Sequence, residues 1–133
     1  MVYTAQTQSL AVLEMLVHLD GPELLRRYVL IGVQIDESLV RNVESSDLPR
    51  NWRADPAPLA LRKIGDEWTD SRTSPVLRVP STLVPAESNL LLNPVHSDFR
   101  RLVISDPITF HFDPRLTKPQ HGNPHLARLP KSL

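Results

Sequence analysis

Glu14 and His18 are the residues whose types and spacing most readily do chemistry. They stand four apart in the run Ser9-Leu-Ala-Val-Leu-Glu-Met-Leu-Val-His-Leu19. On a helix such side chains are neighbours, roughly 5–6 Å apart at Cβ. Every other residue from Leu10 to Leu19 is apolar, so the segment predicts a buried helix. A carboxylate is expensive there unless it is paired or has work to do. It could act as acid or base, or as an anion stabilising a cationic transition state. It could equally pair with His18 or a nearby arginine and serve only the fold. Further polar candidates are Tyr3 ahead of the helix, Ser81 in Val79-Pro80-Ser81, and Asn89 and Asn93 in Asn89-Leu-Leu-Leu-Asn93-Pro94. Tyr3 reads as a core aromatic or a stacking platform, and Ser81 as a turn or cap residue.

Several chemistries are excluded by what is missing. Four glycines, none grouped, leave no Gly-rich phosphate cradle, and there is no GxSxG nucleophile elbow. Without cysteine there is no disulfide, thiolate zinc site or cysteine nucleophile, which fits a cytoplasmic protein. His121 and His125 have helical metal-ligand spacing, but Gly122 and Pro124 lie between them and break the helix it requires, so no metal site is expected. The formal net charge is zero and basic residues are scattered, which argues against nucleic acid as a partner. The apolar run from Leu10 to Leu19 is too short and too polar for a membrane span, and no basic segment precedes it as in a signal peptide.

The elements that must position these residues follow from pattern. Val2 to Ala5 is a short strand, and Thr7 or Ser9 is suited to cap the helix, which ends near Asp20-Gly21-Pro22. Tyr28 to Asp36 is the best strand by composition and is expected to be central; Leu39 to Val43 is weaker. Pro58 suits the first turn of a second helix running to Trp68 or Asp70, with Leu61, Ile64, Gly65 and Trp68 facing inward. From Pro75 onward nine of the thirteen prolines cut the chain into brief strands at Val76–Val79, Leu90–Leu92, Leu102–Ile104 and Ile108–Phe112, with a helical turn at His96–Arg100. From Lys118 a Pro-rich basic segment reads as a flexible tail, 118–133. The length suits one domain. The fold class is α+β, with a mixed sheet dominated by strands after residue 70.

Seven blocks stand in the order found in RES-domain proteins: Tyr3-Thr4-Ala5, Ser9 through Glu14 to His18, Leu48-Pro49-Arg-Asn51-Trp52, Ile64-Gly65-Asp66-Glu-Trp68, Leu77-Arg-Val79-Pro80-Ser81, Asn89 through Asn93-Pro94 to His96, and Phe112-Asp113-Pro-Arg115-Leu116. The chain therefore resembles, over residues 1–117, the toxins of RES-Xre toxin–antitoxin pairs. The resemblance implies a fold like that of ADP-ribosyltransferase toxins and cleavage of the nicotinamide–ribose bond of NAD, with phosphate as co-substrate and no bound cofactor. It implies an Xre-family antitoxin as partner and a homodimer. The glutamate and serine of the family name match Glu14 and Ser81 as catalytic residues; Tyr3, His18 and Asn93 are expected to bind substrate, Tyr3 by stacking and His18 by orienting Glu14 or meeting a phosphate.

Family members normally carry several dozen residues before that tyrosine, with a Trp-Arg element and a Gly-Gly-Arg-Trp-Asn-like stretch. The arginine of the family name has no counterpart here, so the domain is expected to lack its N-terminal elements, Met1 being either an internal residue or the start of a remnant. Two alternatives accompany the enzyme: a non-catalytic remnant that binds the antitoxin or a partner protomer, and an ADP-ribosyltransferase.

Overall fold

The most deeply buried segments are the apolar runs at Val76-Leu77 and Leu90-Leu91-Leu92, and apolar runs this short are saturated as strands covered on both faces. The computed structural model describes residues 1–18 and 28–117. Its elements run β1 (Val2–Ala5), α1 (Gln8–His18), β2 (Tyr28–Leu30), β3 (Val33–Gln34), β4 (Val40–Asn42), α2 (Leu59–Ser71), β5 (Val76–Pro80), β6 (Ser88–Leu92), β7 (Val103–Ile104) and β8 (Ile108–Phe110). Four strands form a sheet in the order β1-β6-β5-β4, in which β4 runs parallel to β5 and the other pairs are antiparallel. This is an α+β fold with a mixed sheet, as the sequence predicts.

Period-two alternation assigns the two faces of the sheet. Leu77 and Leu91, opposite each other, meet Trp68 of α2, with Val43 and Val79 beside them. Val76, Leu90 and Leu92 point the other way and pack with Leu39 and Leu102, bordered by Val33, Ile35, Val40 and Phe99. Helix α2 follows its sequence pattern: Pro58 stands at the N-cap, and Gly65 and Trp68 are buried in it. Trp68 Nε1 donates to Ser74 Oγ (2.9 Å), which donates to the carbonyl of Val76 (2.9 Å), so the indole is tied to the strand it covers.

Two expectations are corrected. Helix α1 is not a buried helix: Leu10 is its one buried residue, while Leu13, Met15 and Val17 are exposed. Its contacts to the sheet run to β1 and, through Glu14, to Asn89 of β6, which leaves the rest of its apolar surround uncovered among the described residues. Nor is Tyr28–Asp36 a central strand. It divides at Gly32, whose N–H donates to Ser105 Oγ (2.8 Å) and whose carbonyl accepts from Ser105 N (2.8 Å). The halves form separate two-stranded ribbons, β2 with β8 and β3 with β7. β-Branched composition reports a fit to a pleated, half-covered surface and not a position in the sheet; Val29 and Ile31 are exposed.

The helix stop at residues 20–22 and the segment 118–133, with His121 and His125, lie outside the described residues. Among the described residues no helix is long and apolar enough to cross a membrane, and no three potential metal-ligating side chains gather.

Candidate active site

The site is built from the start of α1 upward. Thr7 Oγ1 accepts from Leu10 N (3.1 Å), capping the helix, and donates to Glu87 Oε2 (2.7 Å). Gln6 extends the pairing of β1 with β6: its N–H donates to the Ser88 carbonyl (3.0 Å) and its Oε1 accepts from Ser88 N (3.0 Å). The helix therefore begins clamped to the loop between β5 and β6. Two turns on, about 10 Å along the axis, stands Glu14.

Glu14 is half-buried, and one oxygen of its carboxylate is held. Asn89 Nδ2 donates to Oε1 at 2.8 Å, and Ser81 Oγ donates to the same atom at 3.4 Å. Among the described residues no hydrogen bond is made to Oε2. The second oxygen is thus the one left for another partner. Ser81 itself is fully buried. Its Oγ accepts from Leu83 N (3.2 Å) and Val84 N (3.1 Å), and its N–H donates to the Glu87 carbonyl (3.0 Å), so the hydroxyl closes the turn and its one proton is left for Glu14. Ser81 is thus brought to the carboxylate, with its hydroxyl buried beneath it.

Tyr3 is 71 % exposed on β1 and lies across from Leu91, on the sheet face that Asn89 shares by alternation. Tyr3 thus offers an exposed aromatic ring on the sheet face that carries Asn89. His18 is exposed in the last turn of α1, where a basic side chain complements the helix dipole; among the described residues no hydrogen bond joins it to Glu14. Asn93 is not brought to the carboxylate. It stands four residues beyond Asn89, roughly 13 Å along the strand direction, fully buried, with Nδ2 donating to the Thr69 carbonyl (3.1 Å) and Oδ1 accepting from Val95 N (3.3 Å). Both ends of its amide are committed to the fold. The asparagine that reaches Glu14 is Asn89. Both stand two residues from Leu91, so alternation does not separate them; what does is which helix lies against each end of β6, α1 with Glu14 at Asn89 and α2 with the Thr69 carbonyl at Asn93.

A cleft of about 280 Å³ opens elsewhere, lined by Asn42, Glu44, Trp52, Arg78, Pro80 and Ser88. Glu14 does not line it. Among the described residues its one cation is already engaged: Arg78 pairs with Glu37 through both terminal nitrogens and donates to Asn42 Oδ1 at 3.2 Å. That pairing holds the Glu37 carboxyl below its ordinary value and raises Arg78.

Comparison with known proteins places these features in context. The RES domain model matches residues 1–113. Toxin Res of Yersinia enterocolitica is 47% identical over 116 residues, covering 86% of this chain and 76% of that protein. Toxin Res of Photorhabdus laumondii is 38% identical over 118 residues, covering 88% and 76%. A protein of Sphingobium named Prs ADP-ribosylating toxin is 35% identical over 121 residues, covering 88% and 74%.

Proposed function

Since the chain belongs to the RES domain family, we propose that it cleaves the bond between nicotinamide and ribose in NAD, with Glu14 as the catalytic carboxylate. The observation that carries the reading is the tethered carboxylate: Oε1 held by Asn89 and Ser81, Oε2 without a hydrogen bond among the described residues. In the reaction the C1′–N bond breaks and its electron pair passes to the ring nitrogen, so that neutral nicotinamide leaves. The ribose carbon then carries oxocarbenium character, which a fixed anion in a partly dry setting stabilises better than one in water. A phosphate oxygen taking that carbon gives the ADP-ribose phosphate. Tyr3 stacks on the nicotinamide or ribose face, and His18, exposed at the end of α1, meets a phosphate of the substrate.

Purified protein incubated with NAD and phosphate is expected to release nicotinamide. Glu14→Gln is expected to lower the rate by at least about 100-fold, the scale on which one electrostatic stabiliser acts. Wild-type protein that folds yet leaves NAD intact at high concentration would falsify the reading.

A second reading rests on the Sphingobium relative's name: the ADP-ribosyl group passes to a protein side chain instead. ADP-ribose found covalently on protein, with no free sugar phosphate, decides for it. The proposed partner is an Xre-family antitoxin; co-expression of the two should yield a stable complex, and a folded but NAD-inert chain that still forms it is the binding-module alternative.

A further inference from the structure

Asn89 stands where the fold has little use for it. Asparagine is disfavoured in strands, yet it occupies β6 directly before Leu90-Leu91-Leu92, all three buried. Its Oδ1 is buried with no hydrogen-bond partner among the described residues. Nearly all buried acceptors in native proteins are satisfied, so an orphan calls for an explanation. The other end of the same amide supplies it, because Nδ2 makes the 2.8 Å bond to Glu14 Oε1. A leucine would suit the strand better and leave no orphan, but would let the carboxylate go.

We propose that Asn89 is the positioning residue of the site: it pins Glu14 by Oε1 and so fixes which oxygen, Oε2, faces the reacting ribose. The inference rests on the NAD-cleaving reading and goes beyond it. Ser81 makes the weaker contact, at 3.4 Å, and its hydroxyl is shared with two backbone N–H groups, so the orientation depends chiefly on the carboxamide. A charged acceptor strengthens such a bond. The Asn89 donor is fixed by the strand it stands on, which is the pre-organisation a carboxylate needs if it is not to turn during the reaction.

The test uses Asn89→Leu and Asn89→Asp in the full chain, assayed for nicotinamide release and for thermal stability. Asn89→Leu is expected to keep or raise Tm, since it removes the orphan acceptor, while kcat falls about 10- to 100-fold, the worth of one charge-assisted hydrogen bond, and KM changes little. Asn89→Asp is expected to be impaired at neutral pH and to recover as pH falls, when the introduced carboxyl regains a proton to donate to Glu14. A merely structural asparagine would lower Tm and activity together and show no recovery in acid. A folded Asn89→Leu protein with wild-type kcat overturns the positioning role while the NAD reading stands. A wild-type chain inert toward NAD overturns the NAD reading and the positioning role with it. Independently of activity, one Asn89 carboxamide proton should resonate downfield in the amide spectrum and move upfield in Glu14→Ala; an unchanged resonance overturns the contact itself.

Discussion

At the scale of single residues, Glu14, Asn89 and Ser81 divide the work unequally. Glu14 carries the charge, Asn89 orients it, and Ser81 holds the turn that keeps both in place. Ser81→Ala is therefore expected to act on stability first. It strips the acceptor from Leu83 N and Val84 N, which are only partly buried, so the loss is nearer the net worth of a hydrogen bond, about 1 kcal/mol each, than the full cost of a buried unpaired donor. Urea titration should show a lowered midpoint, with the residual folded protein retaining more activity than Asn89→Leu; an unchanged midpoint would contradict the role given to its hydroxyl. In the sequence Glu14 stands out as a carboxylate in an apolar run, while Ser81 reads as a turn residue and Tyr3 as an aromatic of the core or a platform, and it is the resemblance that groups the three. Sequence alone could not separate Asn89 from Asn93. Both lie two residues from Leu91 and look alike as letters, and only the tertiary packing, which sets Glu14 against Asn89 and the Thr69 carbonyl against Asn93, tells them apart.

Among the elements, helices were easier to read than strands. The stripe Leu61, Ile64, Gly65, Trp68 predicts the inner face of α2 because helical periodicity records one buried flank. The C-terminus of α2 is less readable: Arg72 adopts the left-handed conformation, at φ 49° and ψ 37°, that glycine usually supplies after a helix. Replacing it with glycine should stabilise the protein by up to about 1 kcal/mol, the left-handed penalty of a side chain set against the greater freedom of unfolded glycine. A Tm below that of wild type would show that the arginine side chain makes a compensating contact. Strands misled where composition was strongest. Tyr28–Asp36 is rich in β-branched residues, yet Gly32 divides it into two ribbons paired with Ile108–Phe110 and Val103–Ile104, and pairings roughly 70 to 80 residues distant leave no local trace. The apolar surround of α1 overstated its burial for a related reason: periodicity counts apolar side chains but not what lies against them.

For the whole molecule, the charge pattern sets a pH limit. Asp36, Glu37 and Asp113 are all held below their ordinary carboxyl values, Asp36 chiefly by the Ser38 backbone N–H, Glu37 by Arg78 and Asp113 by Arg115. A depressed carboxyl stabilises the folded state above its unfolded value of about 4, and that contribution is lost as pH falls through the folded value. Thermal stability should accordingly be flat from pH 7 to about 5 and decline below about 4, and Arg78→Gln should soften that decline; an acid limb unaltered by the substitution would exclude the pair as a contributor. The three site residues are also far apart in the chain, since Glu14 meets Asn89 across 75 positions. A ribosome adds roughly 5–20 residues per second, so the carboxylate waits several seconds after its own synthesis for the strand that orients it. On the proposed NAD-cleaving reading the carboxylate stays unoriented until that strand is made, and nascent chains arrested before residue 89 should leave NAD untouched.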